Sequence, residues 1–223
     1  MRGTIVNTIA ILAGGGIGLF LGDKFEDRFK DIAMQGLSLA VLLIGMKMAL
    51  EGENISLIIF SLLIGGLIGE YIGIEDKLNQ MAKLLESKFG NKGNIAEGFI
   101  QCSLIYCVGA MAIMGAIQDG ILGDPSTLYA KSLLDGFSAI AFASTLGLGV
   151  LLSAIPVLIY QGTITLLASS ISIFLTDSII NDMTAVGGLL IIGISFSMFN
   201  LTKLKVGNLL PSVFVIILLS YIF

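Results

Sequence analysis

A chain of 223 residues with 56% hydrophobic and only 13% charged residues, at a mean hydropathy of +0.98, has too little polar surface to coat a water-soluble globule, in which about 25% of residues are charged. The formal net charge of -4 comes with no basic stripe, which excludes a nucleic-acid surface. There is no histidine, so Ser-His-Asp triads, Cys-His pairs and HExxH zinc sites are excluded, and neither an enzyme nor a cofactor is expected.

Apolar runs of about 17 to 25 residues cross a hydrocarbon core about 30 Å thick. In chain order they fall at 4–21, 32–50, 55–72, 98–117, 133–145, 149–174, 185–199 and 209–221. Eight spans describe an all-α polytopic membrane helix bundle. The first run has only Arg2 ahead of it and leads into the amphipathic "DKFEDRFKD" rather than a cleavage site, so it reads as a retained membrane helix. After the third span comes the one sizeable polar segment, 74–94, with Leu78, Met81, Leu84 and Leu85 at helical spacing. It is expected to lie on the membrane surface.

The fourth run ends in "GAMAIMGAIQDG", 109–120. Placed on one helix with 98–117, Ala112, Ala116 and Gly120 form a small-residue face that lets helix backbones approach closely in lipid. Ser103, Cys107, Ala110, Met114 and Gln118 line the other side, with Gln101 and Tyr106 nearby. Such a stripe should face protein or water. Gln118 and Asp119 then read either as interfacial loop or as part of a polar path. Gln101, Ser103 and Tyr106 read either as interhelical hydrogen-bonding groups or as the same path. Cys102 and Cys107, five apart, read as small apolar residues rather than a disulfide.

Asp135 is the sharper signal, because it is the single acid in the long run that follows Lys131. Intramembrane acids are expensive and tend to be functional. It could bind a cation, carry a coupling proton, or pair with Lys131 at i, i+4. Lys47 is expected to snorkel and Glu70 to be interfacial. Further on, "ASTLGLG" (143–149) combines the Ser144 and Thr145 hydroxyls with glycine breaks, and Pro156 and "YQG" (160–162) follow. Breaks in apolar segments free backbone groups for ions and polar substrates; a kinked pair of packed helices is the plain alternative.

With eight spans, nine Lys and Arg residues fall on one side and three on the other, which puts both termini outside. The chain also echoes itself. "LAGGGIGLFLG" (12–22) aligns with "LIGGLIGEYIG" (63–73), suggesting a parallel duplication, while "QGLS" (35–38) and "DGFS" (135–138) suggest inverted repeats of three spans each. The organisation expected is a single membrane domain over 1–223, with candidate repeats 3–74 and 98–170, an amphipathic connector 75–97 and C-terminal spans over 184–223.

Long stretches taken together are familiar: "GTIVN" (3–7), "MQGLSLAVLLIGMKMAL" (34–50), "CVGAMAIMGAIQDG" (107–120), "YAKSLLDGFSAIAFASTLGLGVLLSAIPVLIYQGTITLLA" (129–168), "MTAVGGLLIIG" (183–193) and "VGNLLPS" (206–212). Over essentially its whole length the sequence resembles a bacterial multi-pass inner-membrane family designated domain of unknown function 554. The resemblance implies a membrane transporter and no particular substrate.

The reading that follows is a secondary transporter of a small polar solute or ion, coupled to Na+ or H+, in the bacterial inner membrane. A homodimer is expected. Asp135 would take the coupling ion. Ser138, Ser144, Thr145 and Gln161 would line a midplane site, facing Gln101, Ser103, Tyr106, Gln118 and Asp119. A passive channel and a non-transporting scaffold subunit are the alternatives.

Overall fold

The computed structural model describes residues 1–22, 26–77, 80, 95–107, 109–172, 175–199, 201 and 204–222, and all regular structure among them is helical. The helices are α1 (Arg2–Gly22), α2 (Asp27–Ala49), α3 (Ile55–Ile72), α4 (Ile95–Cys107), α5 (Ala110–Ile121), α6 (Ser126–Leu146), α7 (Gly149–Leu152), α8 (Ala154–Leu166), α9 (Ala168–Ile171), α10 (Asp177–Met198) and α11 (Ser212–Ile222), with a 3-10 turn at Val206–Leu209. Most of the polar segment expected on the membrane surface, 74–94, lies outside the described residues.

Five stretches are long and apolar enough to cross a membrane: Arg2–Gly22, Asp31–Ala49, Ile55–Ile72, Gly149–Leu166 and Asp177–Met198. A sixth arises if α4 and α5 form one span, bent by 58°. The runs at 133–145 and 209–221 do form helices, α6 and α11, but neither is among these candidates. Lys131, Asp135 and several hydroxyls lower the hydropathy of α6, and α11 has only 11 residues.

One expectation is corrected here. The run 98–117 is not a single helix, because it breaks before Gly109, whose φ of 137° is a conformation that strains any side chain. Ser103 and Gln118 therefore stand on two helices of different direction, and the polar stripe drawn through both does not exist as one face. The turn read at "STLGLG" does form, on Gly147 at φ 75°, and ends α6.

The chain divides into two compact units, Met1–Leu37 with Ala82–Phe174, and Ser38–Met81 with Leu175–Phe223. In the first, α1 and α6 pack backbone to backbone. Gly14, Gly18 and Gly22 recur every four residues on α1, and a methyl group there would strike the carbonyl oxygens of Gly136, Ile140 and Ser144. In lipid, where apolar side chains gain nothing by leaving their solvent, this close approach is what holds helices together. The same logic explains the thinness of α5. Ala112 and Ala116 are fully buried, and a side chain at Gly120 would meet the Thr165 carbonyl and the Ala168 methyl. Large residues such as Ile9, Leu12 and Phe20 of α1 are exposed outward, as a lipid-facing surface requires.

In the second unit Gly65 of α3 abuts Ser212, Gly69 abuts the Asn208 carbonyl, and Gly45 of α2 meets Gly188 of α10. Ser195 Oγ donates to the Ser38 carbonyl at 2.8 Å, tying α10 to α2.

A buried polar cluster as candidate functional site

Lys131 and Asp135 lie one turn apart on α6, so their side chains share a face. Lys131 Nζ donates to Asp135 Oδ1 at 2.9 Å and to Oδ2 at 2.7 Å, with both side chains 8% exposed. The Tyr106 ring of α4 stands beside the ammonium, its centroid 6.0 Å from Nζ, at the edge of cation–π range.

Asn7 of α1 reaches the same carboxylate. Its Nδ2 donates to Asp135 Oδ2 at 3.0 Å and to Gln161 Oε1 of α8 at 3.3 Å. One turn back, Thr4 Oγ1 meets Thr165 Oγ1 at 3.3 Å. Thr165 uses its own proton on the Gln161 carbonyl at 2.8 Å, so Thr4 is the donor in that pair. Ser138 Oγ lies 3.3 Å from Tyr106 OH and donates to the Asp135 carbonyl at 3.0 Å. Four helices, α1, α4, α6 and α8, thus place an ammonium, a carboxylate, two amides and four hydroxyls together, within otherwise apolar runs.

The cluster is incompletely satisfied. Asn7 Oδ1 and Gln161 Nε2 are buried and have no partner among the described residues. Their orientation follows from their neighbours, since a carboxylate accepts and never donates when ionised, so the Asn7 amino group must face Asp135. A buried polar atom without a partner is unfavourable by about 1–3 kcal/mol. One acceptor and one donor are therefore left over, each attached to an amide already in the cluster.

Of the residues expected at the site, Asp135, Ser138, Gln161 and Tyr106 come together here. The others are placed differently. Ser144 bonds back to the Ala141 carbonyl at 2.8 Å and Thr145 to the Phe142 carbonyl at 3.0 Å, as helix hydroxyls commonly do. Ser103 likewise bonds the Phe99 carbonyl at 2.5 Å. Gln101 Nε2 donates to Glu97 at 2.9 Å, leaving Gln101 Oε1 buried without a partner among the described residues. Gln118 Oε1 accepts from Thr127 at 2.7 Å. Asp119 receives the Gly3 N–H at 3.0 Å and the Met1 ammonium at 2.8 Å, closing the start of α1.

Asn7, Thr4 and Thr165 belong to the cluster and were not expected there. The available signal was an amide inside the first apolar run with a threonine three residues before it, which places both on one helical face. The second unit holds two further polar knots. Asp182 Oδ1 accepts the Glu53 and Asn54 N–H groups at 2.8 and 3.0 Å, and Oδ2 accepts from Asn54 Nδ2 at 3.0 Å, fixing the start of α3. At its other end, Glu70 receives Lys205 Nζ at 2.7 Å and Asn208 Nδ2 at 2.5 Å. Glu70 is exposed, and it holds the Lys205 ammonium above the ordinary lysine range by hydrogen bond and charge. These knots have their partners and read as clamps. Among the described residues no group of three His, Cys, Asp or Glu side chains could hold a metal ion.

Comparison with known proteins gives the lineage. The family described as "Protein of unknown function (DUF554)" matches residues 2–221. The "Uncharacterized membrane protein YdfK" of Bacillus subtilis (strain 168) is 35% identical over 219 residues, covering 96% of this chain and 93% of that protein. The "Uncharacterized protein YqgA" of Escherichia coli (strain K12) is 33% identical over 224 residues, covering 98% and 95%. No solved structure matches. With at least five helices fit to cross a bilayer and a match along nearly its whole length, this multi-pass membrane protein belongs to the DUF554 family.

Proposed function

We propose that the protein is a secondary transporter, moving a small polar solute or ion across the bacterial inner membrane by alternating access, rather than an enzyme. The observation that carries this reading is the buried cluster of Asn7, Lys131, Asp135 and Gln161, held by three helices and left, among the described residues, with one unpartnered acceptor and one unpartnered donor. Ionisable side chains inside membrane segments are rare and by default mark solute and ion paths. Asp135 is the coupling group in this proposal, with Ser138, Tyr106 and Gln161 around it.

The same proposal takes α6 and α11 as spans, giving eight, with both termini outside. Helix α6 has 21 residues, about 30 Å of rise, and it buries its polar side against α1, so it needs no apolar surface there. Duplication belongs here as well. The aligned glycines Gly14 and Gly65, and Gly18 and Gly69, all sit against the backbone of a partner element, a likeness that favours a common origin for the two stretches. We also take a homodimer as the working assembly, to be checked by light scattering with the detergent contribution subtracted.

Reconstitution into proteoliposomes tests the function. Saturable, gradient-coupled uptake of one solute from a screened panel is expected, abolished by Asp135→Asn. Unitary conductance in planar bilayers would instead make it a channel, and absence of any flux would remove the transporter reading.

A further inference from the structure

A buried carboxylate in an apolar run needs positive charge or a proton beside it. Asp135 already has the charge. The Lys131 ammonium bonds both oxygens at 2.9 and 2.7 Å, and neither side chain is more than 8% exposed. The Tyr106 ring on one side adds a second preference for a cation at that spot. An alkali cation bound by Asp135 would have to stand where the ammonium stands, because two positive charges on one carboxylate repel strongly at low dielectric.

The surroundings also suit a bare cation. Among the described residues Asn7 Oδ1 is an unused acceptor, and Gln161 Nε2 an unused donor, on two amides that touch through their other atoms at 3.3 Å. A half-turn of both amides puts Asn7 Oδ1 beside Asp135, where Nδ2 is now, and lets Gln161 Nε2 donate to it. The pair stays hydrogen-bonded, and the half-turn exchanges which acceptor and which donor of the two amides are left over. In that arrangement two oxygens, Asn7 Oδ1 and Asp135 Oδ2, face each other at about hydrogen-bond distance, which is favourable only with a cation or proton between them. The present arrangement is the one an ammonium already seated on Asp135 selects.

We propose that Lys131 is a tethered cation filling a monovalent-cation seat formed by Asp135 and the Asn7 amide, so that the protein needs no sodium and gains a sodium site when the ammonium is removed. For the transporter reading, on which this consequence rests, coupling at Asp135 is then not to sodium.

The test is thermal unfolding of the purified full chain in detergent, titrated with sodium chloride against choline chloride at constant ionic strength. The wild type should show no sodium-specific shift. Lys131→Ala should unfold about 10 °C lower and recover saturably with sodium or methylammonium chloride but not with choline. The double variant Lys131→Ala, Asp135→Asn should respond to neither. Lys131→Gln, closer in volume, serves as the second variant and should recover in the same way. A saturable sodium-specific rise in the wild type overturns the proposal, and this arm requires no variant to fold. Indifference of both single variants to sodium and methylammonium also overturns it. Absence of flux from every solute, with these cation responses intact, would remove the transporter reading and leave the tethered cation standing.

Discussion

At the scale of single residues, the cluster ranks its own members. Asp135 receives three hydrogen bonds, two from Lys131 and one from Asn7. Removing Lys131 strands a buried charge, a loss of about 3–5 kcal/mol. Removing the Asn7 amide leaves Asp135 paired, and hydrogen bonds within membrane proteins average only about 0.6 kcal/mol. Asn7→Ala is therefore expected to lower stability by about 1 kcal/mol, well under the loss for Lys131→Ala, when both are followed by thermal unfolding in detergent. Equal losses would contradict the ranking. Ser144→Ala and Thr145→Val should leave stability and any flux near wild type, because among the described residues both hydroxyls bond only their own helix.

The same residues show what a sequence can carry. Lys131 and Asp135 are legible because two charges in an apolar run stand out, and because i, i+4 on a helix fixes their meeting. Asn7 was not, since its partner lies 128 residues away. The partners of Ser144 and Thr145 could not be read from the sequence, because a hydroxyl's choice between its own helix carbonyl and a neighbour depends on what packs beside it. That neighbour is a tertiary fact.

At the scale of elements, glycine does two different jobs on α1, and they can be separated. Gly18 sits against the Ile140 carbonyl, which is backbone and cannot step aside. Gly16, two residues away, has no atom of the described residues within 4 Å of where its Cβ would be. Gly18→Ala should therefore destabilise the first unit through an α1–α6 clash, while Gly16→Ala should be neutral or raise stability by up to about 1 kcal/mol through helix propensity. Thermal unfolding of the two single variants decides it, and a loss in Gly16→Ala equal to that in Gly18→Ala would contradict the packing described. The spacing of Gly14, Gly18 and Gly22 made a close helix contact readable in advance, but not which helix would supply it. The break before Gly109 was hidden for a related reason. A glycine in a helix and a glycine at a φ of 137° are spelled alike, and apolar residues on both sides let the run read as continuous.

At the scale of the whole molecule, the open quantity is how many times the chain crosses, and orientation makes it measurable. Three candidate spans precede the polar segment 74–94, and every candidate set includes those three helices. An outside N-terminus therefore places position 87 in the cytoplasm whatever happens downstream. That side also receives most of the lysines and arginines, nine of the twelve under the eight-span reading, as the bias toward cytoplasmic positive charge requires. The C-terminus is the discriminating end, since its side depends on whether the bent α4–α5 pair, α6 and α11 each cross. Two measurements separate the cases. Ser87→Cys, in a background with Cys102 and Cys107 replaced by alanine, should resist a membrane-impermeant maleimide in intact spheroplasts and react after lysis. Alkaline phosphatase fused after Phe223 should be active, and green fluorescent protein fused there should be comparatively dark, because the first folds only outside and the second fluoresces only inside. A protected position 87 with a fluorescent C-terminal fusion would mean an odd number of crossings. One of the α4–α5 pair, α6 and α11, or all three, would then enter the membrane without traversing it. Ready labelling at position 87 in intact spheroplasts would reverse the whole assignment and put the charge-rich side outside, against the lysine and arginine bias.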